Sequence, residues 1–162
     1  MTSAALIALL QDFYRDKHAL RDRHVSGAQH VSSYEFNNTY QYVIVREDAH
    51  LSWLRHAIED LGAPVPTDWA ALPVPDGKGS ARERAVIEDD ARAMRAFHEK
   101  WAPRAAAVTH ARHRGMLHVI LNEAIEHARF FDQMLEGRED VLGRRLPGAS
   151  TGGGVLATRW VE

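Results

Sequence analysis

Apolar residues recur at helical spacing in four separate stretches of this chain, and each stretch predicts one helix. The first runs from about Ser3, a candidate N-cap, to about His24, with Leu6, Leu9, Leu10, Phe13 and Leu20 on one stripe. Gly27 in the following VSGAQHV is the expected C′ residue. The second is a long helix from Ser32 to Gly62, opened by a capping-box pair, Ser32 and Glu35, and closed by Gly62 and Pro64. Its stripe is Phe36, Tyr40, Val43, Leu54, Ile58 and Leu61. Then comes APVPTDWAALPVPDGKGS, whose prolines and glycines exclude a helix. A connection this long fits a crossover along a bundle, with Trp69 and Leu72 as its anchors.

The third helix is expected from a second capping-box pair, Ser80 and Glu83. Val86, Ala93, Met94, Phe97 and Trp101 share one of its faces, and Pro103 should kink or end it. Thr109 is the candidate cap of a fourth helix that closes at Gly137, with Leu117, Ile120, Leu121, Ala124, Ala128, Phe131 and Leu135 as its core stripe. No segment alternates apolar and polar residues over strand lengths. Four helices, two short turns and one long middle connection predict an all-α four-helix bundle with a crossover between helices two and three. The bundle should occupy residues 1–137. Residues 138–162, rich in glycine, are expected to form a tail, partly docked through Leu156 and Trp160 or flexible.

Charged residues on the apolar stripes change this picture. Glu47 and His50 sit mid-stripe on the second helix, within roughly 40° of Val43 on the helical wheel. A buried carboxylate costs several kcal/mol unless it is paired or bound to a metal. Glu and His at i, i+3 have the spacing of helix-bundle metal sites. Asp90 shares the inner face of the third helix. If helices three and four turn back near Val108, Asp90 lies level with Glu123 and His127. His127 is on the flank of the fourth stripe and Glu123 at its edge, while Glu126 points away. The bland alternatives are a hydrogen bond from Tyr40 or a histidine to Asp90, and a surface i, i+4 pair for Glu123 and His127.

Composition narrows the chemistry. With 162 residues, 45% hydrophobic and 26% charged, the chain can bury one domain's core. A net charge of −2 gives no basic field for nucleic acid, and no apolar run reaches the length of a membrane span. The N-terminus lacks a basic n-region, so no signal peptide is read and a cytoplasmic protein is expected. There is no cysteine, so any metal would have nitrogen and oxygen ligands, as suits iron, manganese or zinc.

The stretch VIVREDAHLSWLRHAIEDLGAPVP resembles the second helix of ferritin-like proteins of the rubrerythrin and bacterioferritin type, with its Glu-x-x-His, apolar run, Leu-Gly end and proline. IEDDARAMRAF is similar to that family's third helix, with Asp90 where a ligating Glu is expected, and LHVILNEAIEHARFFDQML to its fourth. The resemblance implies a ferritin-like bundle over about residues 4–137. It also implies a metal site drawn from Glu47, His50, Asp90, Glu123 and His127, holding iron or manganese for oxidation–reduction or iron handling. It implies a homodimer paired through the first two helices. The first helix departs from the pattern, with no carboxylate on its stripe near Leu10 to Tyr14, and Glu123 precedes His127 by four residues. A metal-free bundle that works by association therefore stands as an alternative. HARHRGML also resembles DinB-like bundles, which implies a second alternative: a His50, His110 and His113 triad binding zinc or nickel for thiol transfer.

Overall fold

The computed structural model describes residues 1–143. Four helices follow in order: α1 (Ser3–Ala28), α2 (Tyr34–Asp60), α3 (Gly79–Ala106) and α4 (Ala111–Leu135). No strand occurs among the described residues. The expected docking of Leu156 and Trp160 lies outside them. α1 pairs with α2 and α3 with α4, and the two hairpins meet along α1–α3 and α2–α4. Most residues predicted for the core are buried, on all four helices, while Phe36, Leu61, Ala93 and Leu135 are only partly so, and the Phe13 ring meets Phe97 and Trp101 edge-on at centroid distances of 5.0 and 4.9 Å.

Helix ends differ from the sequence expectation for identifiable reasons. Thr2, not Ser3, caps α1, its hydroxyl accepting from the Ala5 N–H at 3.2 Å. α1 does not stop near His24, because Arg23, His24 and Gly27 are all buried on its inner side. Gly27 is a packing residue within the helix rather than a C′ residue. A Cβ there would lie 3.0 Å from the Asp90 Oδ2 atom and 3.1 Å from Val86, so its bare backbone lets α3 come close. Ser33 caps α2 through the Phe36 N–H. Ser32 and Glu83 instead bond to each other: Glu83 Oε2 accepts from the Ser32 N–H at 3.0 Å and its hydroxyl at 2.7 Å. One member of each expected capping box thus ties the start of α2 to α3. Gly62 at φ +74° and Gly137 at φ +83° do end α2 and α4 as glycines that adopt the left-handed region. His110, not Thr109, stands at the N-cap of α4, and Pro103 lies inside α3, which continues to Ala106 and keeps Ala105 and Val108 buried.

The crossover is held at one of its two expected anchors. The Trp69 ring stacks on His18 at 3.5 Å between centroids and its indole N–H donates to Asp22 at 2.9 Å. Leu72 stays exposed. No helix of the described residues is long and apolar enough to cross a membrane.

Candidate functional site

The interior holds three carboxylates, each in its own set of partners. Glu47 of α2 is fully buried. Its Oε1 accepts from the Lys17 ammonium at 2.7 Å, and its Oε2 lies 2.8 Å from His24 Nδ1. Lys17 and His24 stand seven residues apart on α1, two turns on one face, and both are fully buried. Asp90 of α3 accepts from Arg23 Nε at 2.5 Å on Oδ1 and from the Tyr40 hydroxyl at 2.5 Å on Oδ2. Arg23 also donates to Asp89 and, at 2.7 Å, to the Pro73 carbonyl in the crossover. His24 lies between the two buried acids, its Nε2 3.9 Å from Asp90 Oδ1. Glu123 of α4, half-buried at the rim, is gripped by Arg46 through two bonds of 3.0 and 2.7 Å and meets His50 Nε2 at 2.9 Å.

Of the five residues singled out in the sequence, His50, Glu47, Asp90 and His127 all point inward. The structure pairs only His50 with Glu123; Glu47 and Asp90 go to partners on α1 and α2 instead. The Tyr40–Asp90 bond is one of the bland alternatives given above. His127 is buried beside Tyr42 and Phe130, at centroid distances of 6.0 and 5.9 Å. His110 and His113 stand 4.4 Å apart by ring centroid. They lie roughly 15–20 Å along α4 from Glu123, the partner of His50, at 1.5 Å per residue. The triad with His50 therefore does not assemble. Sequence reading missed Lys17, Arg23 and His24. A signal existed: Lys17 and His24 continue the Leu6, Leu10, Phe13, Leu20 spacing, so two basic groups lie on an apolar stripe.

Burial and neighbouring charge set the protonation of this interior. Burial pushes the Glu47 pKa up, but the adjacent His24 and Lys17 outweigh it and hold Glu47 down at about 2. Burial pushes His50 down to about 4 and His127 to about 3, with the Lys17 charge adding to both. Both imidazoles are neutral at neutral pH. Lowered histidine values mean that unfolding takes up protons below about pH 6.5, the ordinary histidine value, so stability falls from there. Glu47 joins below about pH 4.5, the ordinary value of a glutamate. A urea-unfolding midpoint followed against pH should decline continuously from near-neutral to about pH 3 rather than hold until the carboxylate range.

Two solved structures share this fold. One is described as "ferritin like, diiron-carboxylate proteins" from Bacillus anthracis str. Ames: TM-score 0.68, 17% identity, 83% of this chain and 99% of that one. The other is a two-domain protein from Anabaena variabilis with dj-1/thij/pfpi-like and ferritin-like domains: TM-score 0.70, 13% identity, 94% of this chain. This chain spans 42% of the length of that second protein. The fold is ferritin-like. No protein-family profile matches the chain, and no curated protein does.

Within this ferritin-like bundle the donor set can be tested against a dinuclear metal centre. Such a centre needs carboxylate oxygens free to bridge and ligate. Here both oxygens of Glu47, of Asp90 and of Glu123 already accept from, or pair with, protein groups. Lys17 and Arg23 offset the charges of Glu47 and Asp90 before His24 is counted. Among the described residues no three His, Asp or Glu side chains converge as a metal-ligand group. As arranged, the residues do not fit a dinuclear metal. What remains unpartnered among the described residues is nitrogen: His18 Nδ1, His24 Nε2, His50 Nδ1, His113 Nδ1 and His127 Nδ1 are buried without a hydrogen bond.

Proposed function

We propose that this chain is a metal-independent ferritin-like protein that works by association, with residues 1–137 as its working unit. One observation carries the reading: Lys17 and His24 occupy both oxygens of Glu47, so the interior acid is satisfied by protein groups alone. Association is supported by the outer face along α2 and α4. Tyr42, Val45 and Trp53 of α2 and Val119 of α4 are exposed there, half of the large exposed apolar residues among those described. Clustering on one face is what an interaction surface looks like, whereas scattered exposure needs no explanation. The occupant we infer is a second copy of the chain. Val45 and Trp53 lie four residues to either side of Ala49. Two antiparallel α2 helices crossing at that small residue bring Val45 of one copy against Trp53 of the other, twice, which is the self-complementarity a two-fold interface requires.

Sedimentation velocity on tag-free protein tests this. The expected species is a dimer that persists in EDTA and becomes a monomer on Val45→Arg. A wild-type monomer at tens of micromolar, or a dimer indifferent to Val45→Arg, overturns it.

A second reading keeps a metal. Glu47, His50, Asp90, Glu123 and His127 would be drawn on by iron or manganese in oxidation–reduction or iron handling. Three of the five unpartnered imidazole nitrogens, those of His24, His50 and His127, favour it. It ranks second because an entering ion has to displace a bonded ammonium from Glu47 first.

A further inference from the structure

We propose that the cleft between the C-terminal half of α2 and the N-terminal half of α4 is a receptor for Tyr42 of a second copy of the chain: it encloses the ring, and His56 accepts from the hydroxyl. The inference rests on the two-fold association proposed above and deepens it by naming the residue that enters and the site that takes it.

The cleft holds about 360 Å³, within the range of pockets that take a small organic group. Trp53, Ala57, Met116 and Val119 give it an apolar wall, and His56 and His113 give it polar groups. His56 Nδ1 lies 2.7 Å from the Ser52 carbonyl oxygen, and a carbonyl only accepts. Nδ1 therefore carries a proton, and in the neutral ring Nε2 offers a lone pair. His113 is only 8% exposed, and its Nδ1 is buried with no hydrogen-bond partner. An apolar wall with imidazoles at its edge suits a flat apolar group that has one polar end, which is the character of a tyrosine side chain.

The same face carries such a group. Tyr42 is 42% exposed, and its ring leans on His127 and Phe130 of α4 at centroid distances of 6.0 and 6.1 Å. Tyr42, Val45, Trp53 and His56 all lie within roughly 40° of Ala49 on the helical wheel, so they form one stripe. Tyr42 and His56 stand seven residues to either side of Ala49, as Val45 and Trp53 stand four. A two-fold axis that sets Val45 against Trp53 therefore also sets Tyr42 against His56, twice. The next pair outward, eleven residues to either side, brings the Asn38 amide to the Asp60 carboxylate. Each pair is chemically matched: an aliphatic group on an indole, a phenol donor on an imidazole acceptor, an amide donor on a carboxylate. No pair sets like charges together, which an accidental register has no reason to avoid. Tyr42 and His56 of one chain are about 21 Å apart along α2, so Tyr42 cannot fill the cleft of its own copy.

The chain has no cysteine, so introduced thiols report contacts without background. Chains carrying Tyr42→Cys are mixed with chains carrying His56→Cys in a glutathione redox buffer, and intact mass separates mixed from like disulfide-linked pairs. Both positions are exposed, so neither change touches the core. The mixed dimer keeps one native Tyr42–His56 pair, so association survives the substitutions. The mixed disulfide should exceed either like pair at least about fivefold, because like positions lie about 21 Å apart across the two-fold axis, beyond the reach of a disulfide. Tyr42→Phe keeps the ring and loses the donor. It should raise the dimer Kd about tenfold by sedimentation equilibrium, since two-fold symmetry removes two bonds at once. No excess of the mixed disulfide, or an unchanged Kd for Tyr42→Phe, overturns the proposal while the wild-type dimer stands. A wild-type monomer at tens of micromolar overturns the association itself, so the two failures are distinguishable.

Discussion

Lys17→Met lowers the stability of the bundle by about 3–5 kcal/mol, because it strands a buried carboxylate. Methionine keeps most of the stem's volume, so packing loss is minor and the effect is electrostatic. Glu47 retains its contact with His24 Nδ1. A buried pair need not itself be stabilising relative to apolar or neutral replacements. Lys17→Met combined with Glu47→Gln should therefore recover more than half of the loss. Urea unfolding of the wild type, both single variants and the double variant gives the coupling directly. Additive losses would mean that the two groups do not act as a pair.

Asp90→Asn is the second large effect, about 2–4 kcal/mol, also read by urea unfolding. The amide can still accept from the Tyr40 hydroxyl, but the Arg23 guanidinium loses its buried counter-charge. The loss falls below that of Lys17→Met because Arg23 keeps Asp89 and the Pro73 carbonyl. Since Arg23 ties α1 to both α3 and the crossover, the variant should also loosen the loop around Trp69. Its amide protons would exchange faster while those at the centre of α4 do not. A loss under about 1 kcal/mol would mean that Asp89 alone satisfies Arg23.

The fold was readable because every helix carries its core on a clean stripe and because the prolines of residues 61–78 rule out any other place for the crossover. Half of the interior cluster was readable for the same reason: Glu47, His50, Asp90 and His127 interrupt apolar stripes, and such interruptions are costly enough to be conspicuous. The cationic half was not. Lysine and arginine lie on helix surfaces so often that neither Lys17 nor Arg23 stands out in the sequence, although Lys17 occupies the position an apolar residue would take. The pairing within the cluster was also out of reach. Glu47 turns to His24 rather than to His50, three residues away on its own helix, and that choice depends on how α1 and α2 are rotated against each other. Gly27 misled for a related reason, since a glycine near a helix end resembles a stop signal until the close approach of α3 is seen.

The most direct test is elemental analysis of tag-free protein grown with iron and manganese supplements and then desalted. Compensation of Glu47 by Lys17 predicts under about 0.1 equivalent of either metal per chain and a Tm unchanged by chelator. One or two equivalents per chain, lost together with several degrees of Tm on chelation, would contradict it.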